Sequence, residues 1–382
     1  MICAVSNYTT IGMTARSTAA RIAAVGFSLW LGLSCGVAAD RTKVLNVYAW
    51  SEYFPAALIS AFQTETGIHV NYAVLDSPQT AETILSAGHS NYDIVTMNAS
   101  PELAREIPKG FWMKLDQARL PNARNADPQI MQLLNSVDPG NQYAVPWMWG
   151  TTGLIYNSAK INAIMPKAPL DSLDMILKKD VAAKFAGCGI SMLDSWEDVL
   201  PLVSRYLKQP RLSADRPELD AVMAKLREVQ PYLRRISTAG YYQQLAEGEL
   251  CLAIGYSGDA MVARRMVNES HGSVKLEYSF VREMVPFYID NMVIPADSPN
   301  PAAALAFINY VMRPEISASV TRFIGFATAN AAAVPFLEPA VRDNTLIYPP
   351  PAVRSRFELQ KVYTPEETRA FTRAWLRFKS GL

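Results

Sequence analysis

Residues 44–74 read VLNVYAWSEYFPAALISAFQTETGIHVNYAV, and they contain three successive predicted elements. Val44–Ala49 is a short run of residues that favour β-structure. Pro55 opens a helical stretch and Gly67 closes it, because proline suits the first helical turn and glycine the left-handed position after the last. A second strand follows, since apolar residues alternate with polar or small ones at Ile68, Val70, Tyr72 and Val74.

The same order of elements continues along the chain. A helix is predicted over residues 78–87, a strand over residues 93–96 and a further helix from Ser100-Pro101. Strands that alternate with helices in short units are typical of a mostly parallel sheet, so the fold class is α/β. Residues 143–157 form an extended run broken by glycine and threonine, which we interpret as the crossing into a second lobe. A second α/β series follows, with strands predicted near residues 189–191, 251–255, 274–279 and 287–295.

The first 39 residues have the pattern of a secretory signal peptide. Arg16 and Arg21 are the only charges before Asp40, and the apolar run 22–33 leads to the small residues Val37-Ala-Ala39. This order predicts cleavage after Ala39 and secretion of the mature chain. A membrane anchor is the alternative, but the run falls short of the ~20 residues that a spanning helix needs.

Composition excludes several classes of protein. The 382 residues contain 36 Lys+Arg and 35 Asp+Glu, a formal charge of +1, and 50% of them are hydrophobic. A near-neutral chain lacks the basic field that holds a nucleic acid, so no nucleic-acid partner is expected. The apolar fraction lies in the globular range. The length favours two domains, because single cores rarely grow beyond ~250 residues.

The number and spacing of the cysteines and histidines do not favour a metal site. Removal of the signal leaves Cys188 and Cys251, which we expect to pair in an oxidising compartment; two separate buried thiols are the alternative. The only histidines, His69, His89 and His271, are scattered and lack the spacing of metal ligands. The sequence therefore predicts no metal, no cofactor and no histidine-based catalysis.

Enzyme motifs are missing from the sequence. It contains no Gly-x-Ser-x-Gly elbow, no phosphate-binding glycine loop and no His-Glu-x-x-His pair. A pair of carboxylates could still serve a glycosidase. The conspicuous pattern is instead aromatic residues beside acids, at Trp50-Ser-Glu-Tyr53, Trp196-Glu-Asp198, Tyr256-Ser-Gly-Asp259 and Tyr288-Ile-Asp290.

Three of these acids also have structural explanations. Glu52 precedes the helix that Pro55 opens. Ser195 and Asp198 have the spacing of a capping box, and Asp259 is placed to cap the helix after it. For Asp198, capping and binding stay open, and for Asp259 the two roles are compatible.

Asp290 lies in a strand pattern, with Tyr288 and Met292 on the same face. A carboxylate there is costly unless it is paired, so an arginine partner is the alternative to a ligand role. Carboxylates bind ammonium groups through charge-assisted hydrogen bonds, and aromatic faces attract cations. The pattern therefore favours a site for a small organic cation.

The chain resembles the periplasmic polyamine-binding proteins of ABC importers, the putrescine and spermidine receptors, at segments spread in order over the mature sequence: Asn46–Tyr53, Phe62–Gly67, Val145–Gly153 with Tyr156-Asn157, Cys188–Asp194, Ala253–Asp259, Phe307–Tyr310 with Arg313-Pro314, and Ile347–Pro350. The resemblance implies a two-lobed, type II-like periplasmic solute-binding protein with a ligand cleft between lobes joined by crossover strands. We expect residues 40–148 plus 282–312 in the first lobe and 149–281 plus 313–382 in the second.

The resemblance also implies a ligand-binding set: Trp50, Ser51, Glu52, Tyr53, Asn98, Ser100, Asp198, Tyr256, Asp259, Tyr288, Asp290 and Phe326. It further implies that Cys188 and Cys251 correspond to a pair that some members join as a disulfide. At five positions the residue departs from the usual one of the family: Glu52 replaces Asp, Asn98 replaces Ser, Asp198 replaces Glu, Tyr256 replaces Trp and Phe326 replaces Tyr. Acidic and aromatic character are kept, so a cationic amine is expected while the preferred chain length stays open.

The expected function is a monomeric, non-catalytic receptor that closes over a di- or polyamine and delivers it to an inner-membrane ABC permease. Two alternatives remain. One is a binder or sensor of another small organic cation, and the other is a secreted hydrolase that uses carboxylates.

Overall fold

The computed structural model describes residues 44–51, 53–75 and 78–381. The predicted signal peptide and Glu52 lie outside this range. The strands are β1 Val44–Ala49, β2 His69–Val74, β3 Ile94–Asn98, β4 Ala144–Asn157, β5 Ile190–Met192, β6 Arg235–Ile236, β7 Leu252–Tyr256, β8 Leu276–Ser279, β9 Val285–Val293, β10 Ala327–Thr328 and β11 Phe357–Leu359.

The helices are α1 Ala56–Thr66, α2 Pro78–Ala87, α3 Ala104–Glu106, α4 Pro128–Leu134, α5 Ser158–Ile164, α6 Asp174–Leu177, α7 Lys179–Phe185, α8 Trp196–Tyr206, α9 Arg216–Val229, α10 Tyr241–Ala246, α11 Ser257–Glu269, α12 Pro301–Val311, α13 Pro314–Ile324, α14 Pro339–Arg342, α15 Pro351–Arg354 and α16 Pro365–Lys379. As predicted, α1 follows Pro55 and ends at Gly67, which has a left-handed backbone. No described helix is both long and apolar enough to cross a membrane.

The described strands form one mixed sheet in the order β2-β1-β3-β9-β4-β7-β5-β6, with β8 and β10 also paired to β4 and β11 to β9. At one end, β1, β2 and β3 are parallel, and at the other β5, β6 and β7 are parallel. Between them, β4 pairs antiparallel with β9 over its first half and with β7 over its second. The α/β class and the crossover strands are thus confirmed.

The centre of the sheet differs from the mostly parallel expectation. β4 and β9 carry the chain between the two ends of the sheet, so they run antiparallel to β3 and β7. The extended run predicted over residues 143–157 is one continuous, fully buried strand, and it changes its partner from β9 to β7 between Thr151 and Thr152, within the glycine- and threonine-containing segment. Gly150 leaves room for the side chain of Tyr288, because a Cβ atom at this position would lie 2.1 Å from the Tyr288 hydroxyl.

Hydrophobic cores flank both ends of the sheet. Consecutive residues of β1 point to opposite faces, so Val47 packs in one core and Tyr48 in another. We call these two the first-lobe cores. The second-lobe core is built from residues 154–281 together with three side chains of α16: Phe371, Trp375 and Phe378.

The C-terminal segment, predicted to join the second lobe from residue 313 onward, divides between these cores. Val320 and Ile324 of α13 pack in a first-lobe core. α13 starts at Pro314, directly after α12, and α12 packs in the same core. Only α16, near the C-terminus, adds buried side chains to the second-lobe core. The residue ranges of the two lobes stay a prediction.

The two cysteines of the second lobe form a disulfide. Cys188 and Cys251 are bonded with a Cα–Cα distance of 5.6 Å across 63 positions of sequence. Cys251 lies immediately before β7 and is fully buried, and Cys188 immediately precedes Gly189 and β5. The expected pair is therefore confirmed.

Candidate functional site

A cavity of about 930 Å³ brings together residues from both ends of the sheet. Ten of the twelve predicted ligand-binding residues line it: Trp50, Ser51, Tyr53, Asn98, Asp198, Tyr256, Asp259, Tyr288, Asp290 and Phe326. Its volume lies within the ~300–1,000 Å³ that is usual for small-molecule sites. The cavity is thus large enough to be a ligand site.

Asp290 of β9 is a buried carboxylate that pairs with no described lysine or arginine. The Tyr53 hydroxyl donates to it at 2.5 Å, and the Trp50 side chain also hydrogen-bonds to it. Within the described part of the chain, no lysine or arginine lies within 4.0 Å of Asp290, so the alternative of an arginine partner is not found there. Burial raises the pKa of Asp290 to about 6, and the two hydrogen bonds oppose that rise.

Asp259 lies in the first turn of α11, facing the same cavity. Its carboxylate accepts a hydrogen bond from the Tyr241 hydroxyl at 2.7 Å. The expected cap is not formed, because the residue before α11 is Tyr256 and no side chain caps the helix. Burial raises the pKa of Asp259 to about 6 as well.

Asp198 lies in the first turn of α8 and lines the cavity. Its backbone N–H donates to Ser195 Oγ at 3.2 Å, which caps α8, but its carboxylate does not complete a capping box. The carboxylate instead accepts from the Tyr256 hydroxyl at 2.8 Å and from Gln360 Nε2 at 2.9 Å. Burial raises the pKa of Asp198, although these hydrogen bonds favour the charged form.

Aromatic side chains lie between these carboxylates. The rings of Tyr256 and Tyr288 are 5.6 Å apart and nearly perpendicular, and those of Tyr53 and Phe326 are 6.0 Å apart at 65°. Phe326 packs against Gly258, where a Cβ atom would lie 2.1 Å from the ring. The cavity wall is thus made of tightly packed rings beside negative groups.

Two further predicted residues lie at the end of β3. Asn98 lines the cavity and donates from Nδ2 to the Ser100 carbonyl at 2.9 Å. Ser100 is buried, its hydroxyl donates to the Gln360 carbonyl, and it does not line the cavity. Glu52, the remaining member of the set, lies outside the described residues.

Several polar residues that line the cavity are not in the predicted set, among them Glu102, Glu197 and Gln360. Glu197 stands beside Asp198 in one of the aromatic–acid segments, but the predicted ligand set contains only Asp198 of the two. Glu102 follows Ser100-Pro101, a pattern that predicts the start of a helix and does not indicate a ligand site. No local sequence pattern indicates Gln360, because it contacts Asp198 from 162 positions away in the sequence.

Negative groups with aromatic walls bind cations. Carboxylates provide charge-assisted hydrogen bonds to ammonium groups, and rings add cation–π attraction of ~0.5–2 kcal/mol each. Within the described range, no group of three or more His, Cys, Asp or Glu side chains has an arrangement that could hold a metal ion. The chemistry of the cavity is therefore that of an organic cation site.

Known proteins of this architecture are similar to the chain over most of its length. The family model for bacterial extracellular solute-binding proteins matches residues 57–348. The putrescine-binding periplasmic protein SpuD of Pseudomonas aeruginosa is 39% identical, with 90% of this chain and 94% of that protein covered. The putrescine-binding periplasmic protein PotF of Escherichia coli is 36% identical, with 92% and 95% covered.

A solved structure agrees with these relatives. The spermidine/putrescine ABC transporter substrate-binding protein PotD of Streptococcus pneumoniae superposes with a TM-score of 0.74 at 26% identity, covering 88% of this chain and 99% of that one. Family match, sequence relatives and structure thus agree over nearly the full length of the proteins compared. The chain belongs to the bacterial extracellular solute-binding proteins.

Proposed function

We propose that this protein is a periplasmic receptor that binds a di- or polyamine of the putrescine and spermidine class and delivers it to an ABC permease. One observation carries the proposal: Asp259 and Asp290 line an aromatic cavity and have no basic partner within 4.0 Å among the described residues. Relatives that are named for binding putrescine, at 36–39% identity, support the same ligand class.

The proposed mechanism is closure around the ligand, without a catalytic step. Tyr53 and Trp50 come from the first end of the sheet, and Asp198 and Asp259 from the second. A diamine that bridges the two sets stabilises the state in which both are in reach, and so shifts the open–closed equilibrium. Glu52 and Ser100 belong to the proposed ligand set beside the ten residues that line the cavity.

Export and partners complete the proposal. The signal peptide is removed after Ala39, and the mature receptor works in the periplasm as a monomer. Its partner is an inner-membrane ABC permease, in keeping with the transporter named for the similar solved structure.

A thermal-shift screen of the mature protein tests the ligand class. The panel contains putrescine, cadaverine, agmatine, spermidine and spermine, and we expect at least one of them to raise the melting temperature and to change the tryptophan emission through Trp50. Leucine and glutamate, which lack a second cationic group, serve as control ligands. If no amine stabilises the protein, the proposal is wrong.

Substitution of Asp290 tests the site itself. Asp290→Asn removes the countercharge of a desolvated ammonium, so we expect Kd to rise about 30-fold or more, equivalent to about 2 kcal/mol. Titration calorimetry with the best amine measures it. The matched control is Asp138→Asn, since Asp138 is buried but accepts only backbone N–H groups away from the cavity. Equal Kd values for Asp290→Asn and the wild type would remove Asp290 from the site.

A further inference from the structure

The cavity contains more carboxyl groups than a diamine can pair with. Six carboxylates line it: Glu102, Asp194, Glu197, Asp198, Asp259 and Asp290. Asp194 is already paired, because Lys379 Nζ lies 2.5 Å from it. In the described part of the chain, none of the other five has a lysine or arginine within 4.0 Å. Arg265 also lines the cavity, but it is directed to Glu269 at 3.8 Å.

Of these five carboxyl groups, Glu102 has the most unusual surroundings. It lies in the turn that follows β3, its exposed fraction is 6%, and it lines the cavity. Its Oε2 atom is buried without a hydrogen-bond partner among the described residues. Arg105, one turn later, is paired with Glu82 at 3.6 Å instead. A buried carboxylate left in this way is unfavourable unless a cation arrives to pair with it.

Glu197 in the first turn of α8 is a second carboxyl group that lines the same cavity as Glu102. Burial raises the pKa of Glu102 to about 8; the charge of Arg105 opposes that rise, and the charges of Glu106 and then Glu197 add to it. Burial likewise raises the pKa of Glu197 to about 7, while the Ser195 hydroxyl, 3.4 Å away, opposes it. A bound cation would relieve the repulsion between the two carboxylates.

We propose that Glu102 and Glu197 form a further cation subsite, which binds the third ammonium group of a linear triamine. This inference rests on the proposed function, because it assumes that Asp259 and Asp290 hold the first ammonium. Asp198 adjoins Glu197 in sequence and lines the same cavity, so it adds negative charge beside the new subsite. The receptor then prefers spermidine to putrescine, because only the triamine supplies a third positive charge.

The test compares the Kd values of putrescine and spermidine by titration calorimetry. For the wild type, we expect spermidine to bind at least about tenfold more tightly. Glu102→Gln keeps size and polarity but removes the charge, and we expect it to lower this preference about tenfold. Glu197→Gln should lower it in the same direction, which keeps the test valid if Glu102→Gln does not fold.

Glu106→Gln is the matched control. Glu106 lies one helical turn after Glu102, is fully buried and also has unpartnered oxygens within the described structure, but it does not line the cavity. Its charge raises the pKa of Glu102 without touching the cavity, so its replacement should not lower the preference for spermidine. Tight putrescine binding with no preference for spermidine, or a preference that Glu102→Gln and Glu106→Gln change equally, would overturn the subsite alone. Absence of binding by either amine would overturn the proposed function and the subsite with it.

Discussion

Asp259 and Asp290 are buried carboxylates whose hydrogen-bond donors are neutral side chains. Each accepts a hydrogen bond from a tyrosine hydroxyl: Tyr241 for Asp259 and Tyr53 for Asp290. A neutral donor orients a carboxylate without cancelling its charge, whereas an arginine would remove the charge from the site. Burial nevertheless keeps the pKa of both groups at about 6. These two groups therefore carry their full negative charge only above that pH.

Amine affinity should fall as the pH drops through 6. The ligand ammonium groups stay charged, as for a lysine with its pKa near ~10.4, so only the protein titrates. At pH 5, a group with pKa about 6 is about nine-tenths protonated, so each of Asp259 and Asp290 should cost about tenfold in affinity. We expect the Kd of putrescine to rise about 100-fold between pH 7.5 and pH 5.0, measured by calorimetry at constant ionic strength.

The stability of the ligand-free protein should change with pH in the opposite direction to the amine affinity, as far as Asp259 and Asp290 contribute to it. Their folded-state pKa values lie above those of the unfolded chain, so between about pH 6 and pH 4 the folded state binds more protons. Their contribution to stability therefore grows as the pH falls, while the ligand-induced thermal shift shrinks. A thermal shift that keeps its size at pH 5.0 would contradict this assignment.

At the scale of elements, α11 and the segment after α13 meet through a glycine. Gly258 lies in the first turn of α11, next to Asp259, and the Phe326 ring occupies the space where a side chain would stand. This close approach brings an aromatic residue and a carboxylate into one cavity. The glycine therefore determines how near Phe326 can lie to Asp259.

Gly258→Ala should destabilise the protein by about 1–3 kcal/mol, because the new methyl group would overlap the Phe326 ring. It should also weaken amine binding, since the ring must move within the cavity wall. Guanidinium denaturation and calorimetry measure the two effects. Gly187→Ala is the matched control, because a Cβ atom there meets nothing within 4 Å. Equal stability of the two variants would show that the ring moves aside freely.

At the scale of the whole molecule, β4 and β9 join the two ends of the sheet as central strands. β9 pairs with β3 at the first end, β4 pairs with β7 at the second, and the two pair with each other, so the cavity residues Tyr288 and Asp290 lie between the two parallel segments. The disulfide lies elsewhere, in the second lobe beside β5 and β7, and neither cysteine lines the cavity. Stability and binding are thus separable.

Loss of the disulfide should lower the free energy of unfolding by about 4 kcal/mol in the chain-entropy model, given the 63-position loop. The double variant Cys188→Ala/Cys251→Ala in guanidinium denaturation measures this, and a reducing agent should shift the wild type alone. Amine affinity at a temperature where both are folded should stay within about twofold. A reducing agent that leaves the wild-type midpoint unchanged would contradict the prediction.

Local patterns of the sequence determined the elements and much of the candidate site. The β1–α1–β2 order follows from strand alternation, Pro55 and Gly67, which act over a few residues. The aromatic–acid segments picked out Asp198, Asp259 and Asp290, and the family resemblance added Phe326 to them; all four line one cavity.

Only the tertiary structure decided which groups are paired and which are not. Tyr53 reaches Asp290 across 237 positions of sequence, and Gln360 reaches Asp198 across 162. The same long-range packing left Glu102 buried without a hydrogen-bond partner for Oε2 among the described residues, and made β4 one strand. A local pattern shows what a side chain offers, whereas the pairing of a buried charge depends on neighbours that only the folded chain brings within a few ångströms.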